Sequence, residues 1–252
     1  MTQAIETTTV KLSLRDATRT QDNFQVAAYL AQPQESGSYP GIVVLQEIFG
    51  VNVHIREVTE RIAQEGYVAI APALFQRQAP GFESGYTPQD IETGRSYAMQ
   101  TKASELLSDI QSAIDYLKSL PQVKKDGFGC IGFCFGGHVA YLAATLLDIK
   151  AAASFYGAGI TTRTFGGGAP TVTRTPEIKG TLYAFFGTED GSISAEQVDE
   201  IEAELEKYNI PHRVFRYDGA DHGFFCNHRA SYNPRAATDA WQQVQQLFGQ
   251  LI

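Results

Sequence analysis

The segment Gly132-Phe133-Cys134-Phe135-Gly136-Gly137 is the tightest constraint in this chain. It joins an apolar, strand-like run, Phe128–Phe133, to a stretch of helical character that continues to residue 147. A strand that becomes a helix across one residue forces that residue into strained backbone angles, and only small neighbours two positions away leave room for it. Gly132 and Gly136 meet that demand. Such a turn lifts the central side chain above the sheet and aims it at the helix N-terminus, where partial positive charge favours a thiolate. Cys134 therefore reads as a candidate nucleophile, with the Phe135 amide directed at a developing oxyanion. A buried cysteine that only packs helix against strand would use the same residues, so the rest of the chain has to supply partners.

Strand and helix patterns alternate along the sequence. Residues 8–14 and 24–31 alternate apolar with polar, as half-exposed antiparallel strands do. Short apolar runs at 42–45, 67–70, 128–133, 151–156, 181–186 and 213–217 suit strands, the first of them buried on both faces. Helical periodicity marks Val53–Gln64 through Ile55, Val58 and Ile62. A longer helix carries Ala103, Leu106, Leu107, Ile110, Ile114 and Leu117 and ends at Pro121. Further helices are expected at 195–208 and from about Arg235. Residues 73–95, with two prolines and three glycines, read as irregular. The Thr- and Gly-rich loop 157–180 reads as a lid, a pocket rim or a plain surface insertion. This alternation predicts an α/β fold: one mostly parallel sheet of about eight strands with helices on both faces, as a single domain over residues 1–252.

Composition narrows the function classes. The 252 residues carry 20 Lys or Arg against 28 Asp or Glu, a net charge of −8, which argues against a general nucleic-acid binder. Three cysteines make no disulfide framework. The first residues, MTQAIETTTVKLSL, lack the basic-then-apolar pattern of a signal peptide, and no apolar run reaches the roughly 18 residues of a membrane span. A cytoplasmic globular protein, without membrane or nucleic-acid partners, is expected.

An α/β-hydrolase arrangement needs nucleophile, acid and histidine in that chain order, the last two in loops after later strands. Asp190 follows the strand at 181–186, in Gly187-Thr188-Glu189-Asp190-Gly191. His222 follows the strand at 213–217, in Asp218-Gly219-Ala220-Asp221-His222-Gly223. Both fall at the carboxyl ends of strands, the edge where open α/β sheets bind ligands. His222 then serves as the base and Asp190 orients it. Glu189 is a rival acid, and Asp221 reads as a helper or turn residue. His54, His138 and His212 sit at element starts, and His228 lacks a strand-end position. No two histidines share a metal-ligand spacing on one helix, and the Gly-rich run at 165–168 lacks the Lys-Ser/Thr of a phosphate loop, so no metal or cofactor is expected. Cys130, mid-strand, reads as a core residue. Cys226, in a polar loop, reads as either exposed or packed.

These residues resemble the dienelactone hydrolases (carboxymethylenebutenolidases), cysteine members of the α/β-hydrolase fold. Four segments carry the resemblance: Gln46-Glu47-Ile48-Phe49-Gly50, Arg77-Gln78-Ala79-Pro80-Gly81, the Cys134 turn, and Ala220-Asp221-His222-Gly223-Phe224. It implies a triad of Cys134, His222 and Asp190. It also implies Glu47 as a carboxylate beside the thiol, and the amides of Ile48 and Phe135 as an oxyanion hole. Arg77 would bind a substrate carboxylate, or Glu47 in the empty site. The implied activity is hydrolysis of lactones or esters through a thioester, by a monomer or small homo-oligomer. Two positions depart from the family pattern. Cys226 stands where a second substrate-binding arginine is expected, with Arg229 three residues on. Phe155 stands where a tyrosine is expected, with Tyr156 beside it as the substrate contact carried over. These departures leave room for a general carboxylesterase or thioesterase, or for a redox-sensing protein of the same fold.

Overall fold

The computed structural model describes residues 3–13 and 24–252. Two strands, β1 (Ile5–Ser13) and β2 (Gln25–Pro33), form an antiparallel pair with Ile5 opposite Pro33 and Leu12 opposite Val26. Leu14, the expected end of the first strand, lies outside the described residues. Six more strands follow: β3 (Gly41–Leu45), β4 (Val68–Pro72), β5 (Phe128–Phe133), β6 (Ile149–Phe155), β7 (Thr181–Gly187) and β8 (His212–Tyr217). They join one sheet in the order β1-β2-β4-β3-β5-β6-β7-β8. The β1–β2 and β2–β4 pairs are antiparallel and the others parallel. The expected mostly parallel, eight-stranded sheet is what the chain forms. All residues of β3, β4 and β5 are buried, which explains why these strands read as unbroken apolar runs rather than alternating ones.

Helices cover both faces. On β5, Gly129 faces the Phe248 ring of the C-terminal helix α6 (Pro234–Phe248), whereas the thiol of the next residue, Cys130, meets the Ala140 carbonyl of helix α4 (Phe135–Ala143). Successive strand residues point to opposite sides, so α4 and α6 lie on opposite faces. Helix α1 (Val53–Gln64) lies beside α6, where Trp241 Nε1 donates to Glu65 at 2.7 Å and the Arg61 guanidinium stacks 3.9 Å from the Trp241 ring. Helix α5 (Ala195–Lys207) starts at a Ser194–Gln197 capping box. Among the described residues no helix is long and apolar enough to cross a membrane.

Two expectations need correction. Residues 73–95 are not wholly irregular, because a helix α2 occupies Pro88–Met99, separate from α3 (Ala103–Ser119). Its start was legible: Thr87 and Asp90 form a reciprocal capping box and Pro88 holds the first turn. What disguised it is Gly94, a poor helix residue in mid-helix. A Cβ there would lie 2.2 Å from the carbonyl oxygen of Ile48, so the glycine exists to let α2 touch the backbone of the β3 loop. The helix after Cys134 also ends earlier than expected, at Ala143 rather than residue 147. In loop 157–180, Thr171–Glu177 forms a 3₁₀ segment with Thr171, Val172 and Thr175 buried. His138 ties it down, one ring nitrogen 3.0 Å from the Ala158 carbonyl and the other 2.7 Å from Thr171 Oγ1.

Gly94→Ala separates helix propensity from packing. An exposed helix glycine gains about 1 kcal/mol from that change, whereas overpacking costs about 1–3 kcal/mol. With the methyl aimed at backbone, urea unfolding of Gly94→Ala is expected at a lower midpoint than the parent, not a higher one.

Candidate active site

Cys134 links β5 to α4 with φ 56° and ψ −113°, a left-handed backbone region that a cysteine occupies only under compulsion. The compulsion is backbone packing. A Cβ on Gly132 would stand 1.9 Å from the Gly136 carbonyl oxygen, and one on Gly136 would stand 2.2 Å from that of Leu45. Gly137 likewise abuts the Phe155 carbonyl, and Cys134 N donates to that same oxygen at 3.0 Å. The turn is thus wedged between the ends of β3 and β6. Phe135 opens α4, so its N–H has no acceptor within the helix.

The loops after β7 and β8 meet backbone to backbone. Thr188 N donates to Tyr217 O at 3.0 Å and Glu189 N to Ala220 O at 2.9 Å. That contact turns Glu189 out to solvent and buries Asp190. Asp190 Oδ1 accepts from Ser192 N at 2.8 Å, while Oδ2 lies 2.7 Å from His222 Nδ1. The rival acid is excluded by exposure. Asp221, exposed, accepts from the amide of the next residue, His222, at 2.6 Å. Burial opposes a charge on the His222 ring, yet the flanking Cys134 sulfur and Asp190 carboxylate outweigh it and raise the pKa to about 10. Cys134, His222 and Asp190 therefore stand in contact order, the imidazole between sulfur and carboxylate.

Cys134 and His222 open onto a cavity of about 830 Å³, whose wall includes Ile48, Phe49, Phe135, Met99 and Phe165. Loop 157–180 contributes residues 158–159 and 162–167 to that wall, so it is a pocket rim. Ile48 and Phe135, the two expected oxyanion donors, lie on the same cavity wall as Cys134.

The arginine expected at the site is elsewhere. Arg77 grips both carboxylate oxygens of Asp109 on α3, Nη2 to Oδ1 at 2.8 Å with Nη1 on Oδ2, and it is absent from the cavity wall. Asp109 is fully buried on the apolar stripe of α3, between Leu106 and Ala113, and a buried carboxylate demands a cation. A charge on that stripe was the available sequence signal. Arg95, Arg163 and Arg229 all lie on the cavity wall, and the one that meets Glu47 is Arg229, whose Nη1 lies 3.0 Å from Oε1 of that buried carboxylate. It reaches there across Gly223 (φ 82°), where a Cβ would come within 2.4 Å of the guanidinium. Nothing in residue spacing shows this, because the chain from 221 to 233 folds through consecutive tight turns.

Glu47 Oε2 is buried without a hydrogen-bond partner, and burial raises the carboxyl pKa against the pull of Arg229 and His222. Tyr156, expected to touch substrate, is instead buried at φ 38°, its ring 5.1 Å from that of His222 and off the cavity wall. Among the other cysteines, Cys130 is a core residue whose thiol pKa is driven up by burial. Cys226 is packed, its sulfur 3.3 Å from Tyr86 Oη, and burial followed by Glu47 pushes it up to about 11. His228 pairs with Glu57 at 2.8 Å.

A parallel sheet whose strand-to-helix turn presents a nucleophilic side chain, with histidine and acid from later strand ends, defines the α/β-hydrolase class. Within that class the chain belongs to the dienelactone hydrolase family, which it matches over residues 26–252. It is 57% identical over 248 residues, 98% of each chain, to a Synechocystis sp. protein carrying the inferred name carboxymethylenebutenolidase. The crystal structure of an inferred dienelactone hydrolase from Klebsiella pneumoniae superposes with a TM-score of 0.86 at 29% identity, covering 98% of this chain and all of that one. The Anabaena variabilis dienelactone hydrolase shares the fold, with a TM-score of 0.67 at 18% identity over 98% of each chain. The protein is accordingly a hydrolase of ester or lactone bonds.

Removing Arg77 takes a bidentate cation from the buried Asp109, and breaking such a pair costs about 3–5 kcal/mol. Arg77→Ala should show that drop in urea unfolding, with KM for any ester unchanged. For His222, the sign follows from a raised folded-state pKa: its contribution to stability is complete below about 6.5 and is lost as pH climbs through about 10. The parent should therefore lose more stability than His222→Gln between pH 7 and pH 10, as read from unfolding midpoints.

Proposed function

We propose that the protein is a cysteine-dependent lactone or ester hydrolase working through a thioester acyl-enzyme. The observation that carries this reading is the 2.7 Å Asp190–His222 bond beside a cysteine held at φ 56° on the cavity floor. Cys134 Sγ attacks the acyl carbon and His222 takes the thiol proton through the nitrogen not used by Asp190. The Ile48 and Phe135 amides stabilise the oxyanion, and His222 returns its proton to the departing alkoxide. Water, activated by His222, then cleaves the thioester.

Arg229, rather than Arg77, is the proposed anchor for a carboxylate on the substrate. Its guanidinium is shared with Glu47 at 3.0 Å, so an incoming carboxylate competes for it and releases Glu47. A freed, buried carboxylate next to the site stabilises the imidazolium that His222 becomes on taking the thiol proton, which couples activation to substrate binding. A general carboxylesterase or thioesterase activity is a second reading, favoured by the cavity of about 830 Å³, at the upper end for small-molecule sites. In both readings residues 1–252 work as a single domain, in the cytoplasm, as a monomer or small homo-oligomer, without metal or cofactor in catalysis.

Hydrolysis of activated esters and of dienelactones should vanish in Cys134→Ala, and denaturing mass spectrometry of a rapidly quenched reaction should find the acyl group on Cys134 of the parent. Unchanged turnover in Cys134→Ala would refute the mechanism. Arg229→Ala is expected to lower kcat/KM for carboxylate-bearing substrates by about 10- to 100-fold, the worth of a charge-assisted hydrogen bond of about 1.5–3 kcal/mol, while sparing neutral esters. Equal losses on both would favour the second reading.

A further inference from the structure

Off the cavity wall, three potential metal ligands come together, one from the loop after β3, one from the start of α1 and one from the turns before α6. A carboxylate oxygen of Glu47, a ring nitrogen of His54 and the sulfur of Cys226 all lie within 4.8 Å of one another, and all three residues are buried. The cluster is unsatisfied as it stands. His54 Nε2 and Glu47 Oε2 are each buried with no hydrogen-bond partner, an expensive condition for polar atoms in a protein interior. Two such orphans beside a thiol distinguish this cluster from an ordinary packed histidine.

We propose that Glu47, His54 and Cys226 form a binding site for a borderline-soft divalent cation, with Zn²⁺ the best match, that holds the enzyme in an inhibited state. The donor set decides the class of ion. One nitrogen, one sulfur and one oxygen suit tetrahedral zinc, with arms of about 2.0–2.3 Å and ligand-to-ligand separations of about 3.3–3.8 Å. A spacing of at most 4.8 Å reaches that with small side-chain adjustments. Calcium and magnesium demand several oxygens, and this site supplies one residue of that kind. The outer shell is also suitable. Asn52 Nδ2 donates to Tyr86 Oη at 3.2 Å, which leaves the Tyr86 hydroxyl hydrogen free to donate to a Cys226 thiolate 3.3 Å away.

Binding releases the Cys226 proton to solvent, and a Glu47 proton where one is held. Thiolate, carboxylate and neutral imidazole then balance the two charges of the cation. His54 also lines a second cavity of about 330 Å³, with Glu57 and Asn227 on its wall, which offers a route from the side away from Cys134. The cation must take Glu47 from Arg229, its present partner at 3.0 Å. The inhibition therefore rests on the role proposed for Glu47, whereas the site itself does not.

Co²⁺ replaces Zn²⁺ in such sites and reports a thiolate ligand by a charge-transfer absorption band. In full-length Cys134→Ala, titration with Co²⁺ should give a tetrahedral spectrum with that band at one equivalent, abolished by Zn²⁺. Adding Cys226→Ser should remove the band, and adding His54→Gln should weaken Co²⁺ binding more than about 100-fold, beyond the effect of losing an outer-shell partner. Circular dichroism and the unfolding midpoint check that these variants fold. Where Cys226→Ser does not fold, Tyr86→Phe, which keeps all three ligands, should weaken binding by about 10- to 100-fold. A band that needs Cys134, or survives loss of Cys226, or no stoichiometric binding, would overturn the site. Zn²⁺ should inhibit ester hydrolysis by the parent and lose at least about tenfold in potency against Cys226→Ser; equal potency overturns the inhibitory role. Because metal binding is read by absorbance without Cys134, an inactive parent would refute the hydrolase reading and leave this test intact.

Discussion

The close approach of bare backbone around Cys134 governs the geometry of this protein. Gly132, Gly136 and Gly137 each put a peptide where any side chain would collide with a carbonyl of the turn itself, of β3 or of β6. These contacts hold Cys134 at φ 56°, and they also lock it to the loop that follows β3, which carries Glu47 and Ile48. Gly94 lets α2 press on Ile48 from the other side. Cys134 and the amides proposed as oxyanion donors are therefore spaced by close-packed main chain rather than by adjustable side chains. Positioning of this kind is what acyl transfer needs, since its oxyanion stabilisation depends on donors that do not reorganise.

Two arginine–carboxylate pairs divide the labour of charge. Arg77 and Asp109 form a bidentate pair between α3 and the segment after β4, remote from the cavity wall. Both groups are desolvated, and neither has anything to gain by letting go. Arg229 and Glu47 make a single-contact pair at the cavity, and Glu47 keeps one oxygen without a partner. The first pair fits a structural role, and the second is the one proposed to exchange with substrate. Cys226 belongs to the second neighbourhood, close enough to Glu47 and Arg229 for both charges to act on its thiol.

Much of the fold was legible because local chemistry and global packing agree. The helix Val53–Gln64 and the strand Phe128–Phe133 have the limits their patterns predict, since an amphipathic stripe and a doubly buried apolar run each serve one environment. Helix α2 leaves a weak helical pattern because its Gly94 answers to the carbonyl of Ile48, 46 residues earlier, rather than to its own helix. The same holds for the site. Cys134, His222 and Asp190 follow from strand ends and small residues. Choosing Asp190 over Glu189 required the contact between the loops at Thr188–Tyr217 and Glu189–Ala220.

From the sequence alone come the elbow, the order of candidate nucleophile, acid and histidine, the mostly parallel sheet and the family likeness, each read from local signals at strand ends and turns. Tertiary structure alone decided which arginine meets Glu47. Arg77 was claimed by a buried Asp109, and Arg229, unremarkable in its turn-rich segment, crossed Gly223 to reach Glu47. It alone also brought Glu47, His54 and Cys226 to within 4.8 Å. Charge pairing and ligand geometry act through space at a few ångströms, and separations of 32 to 182 residues along the chain leave no periodic trace of them.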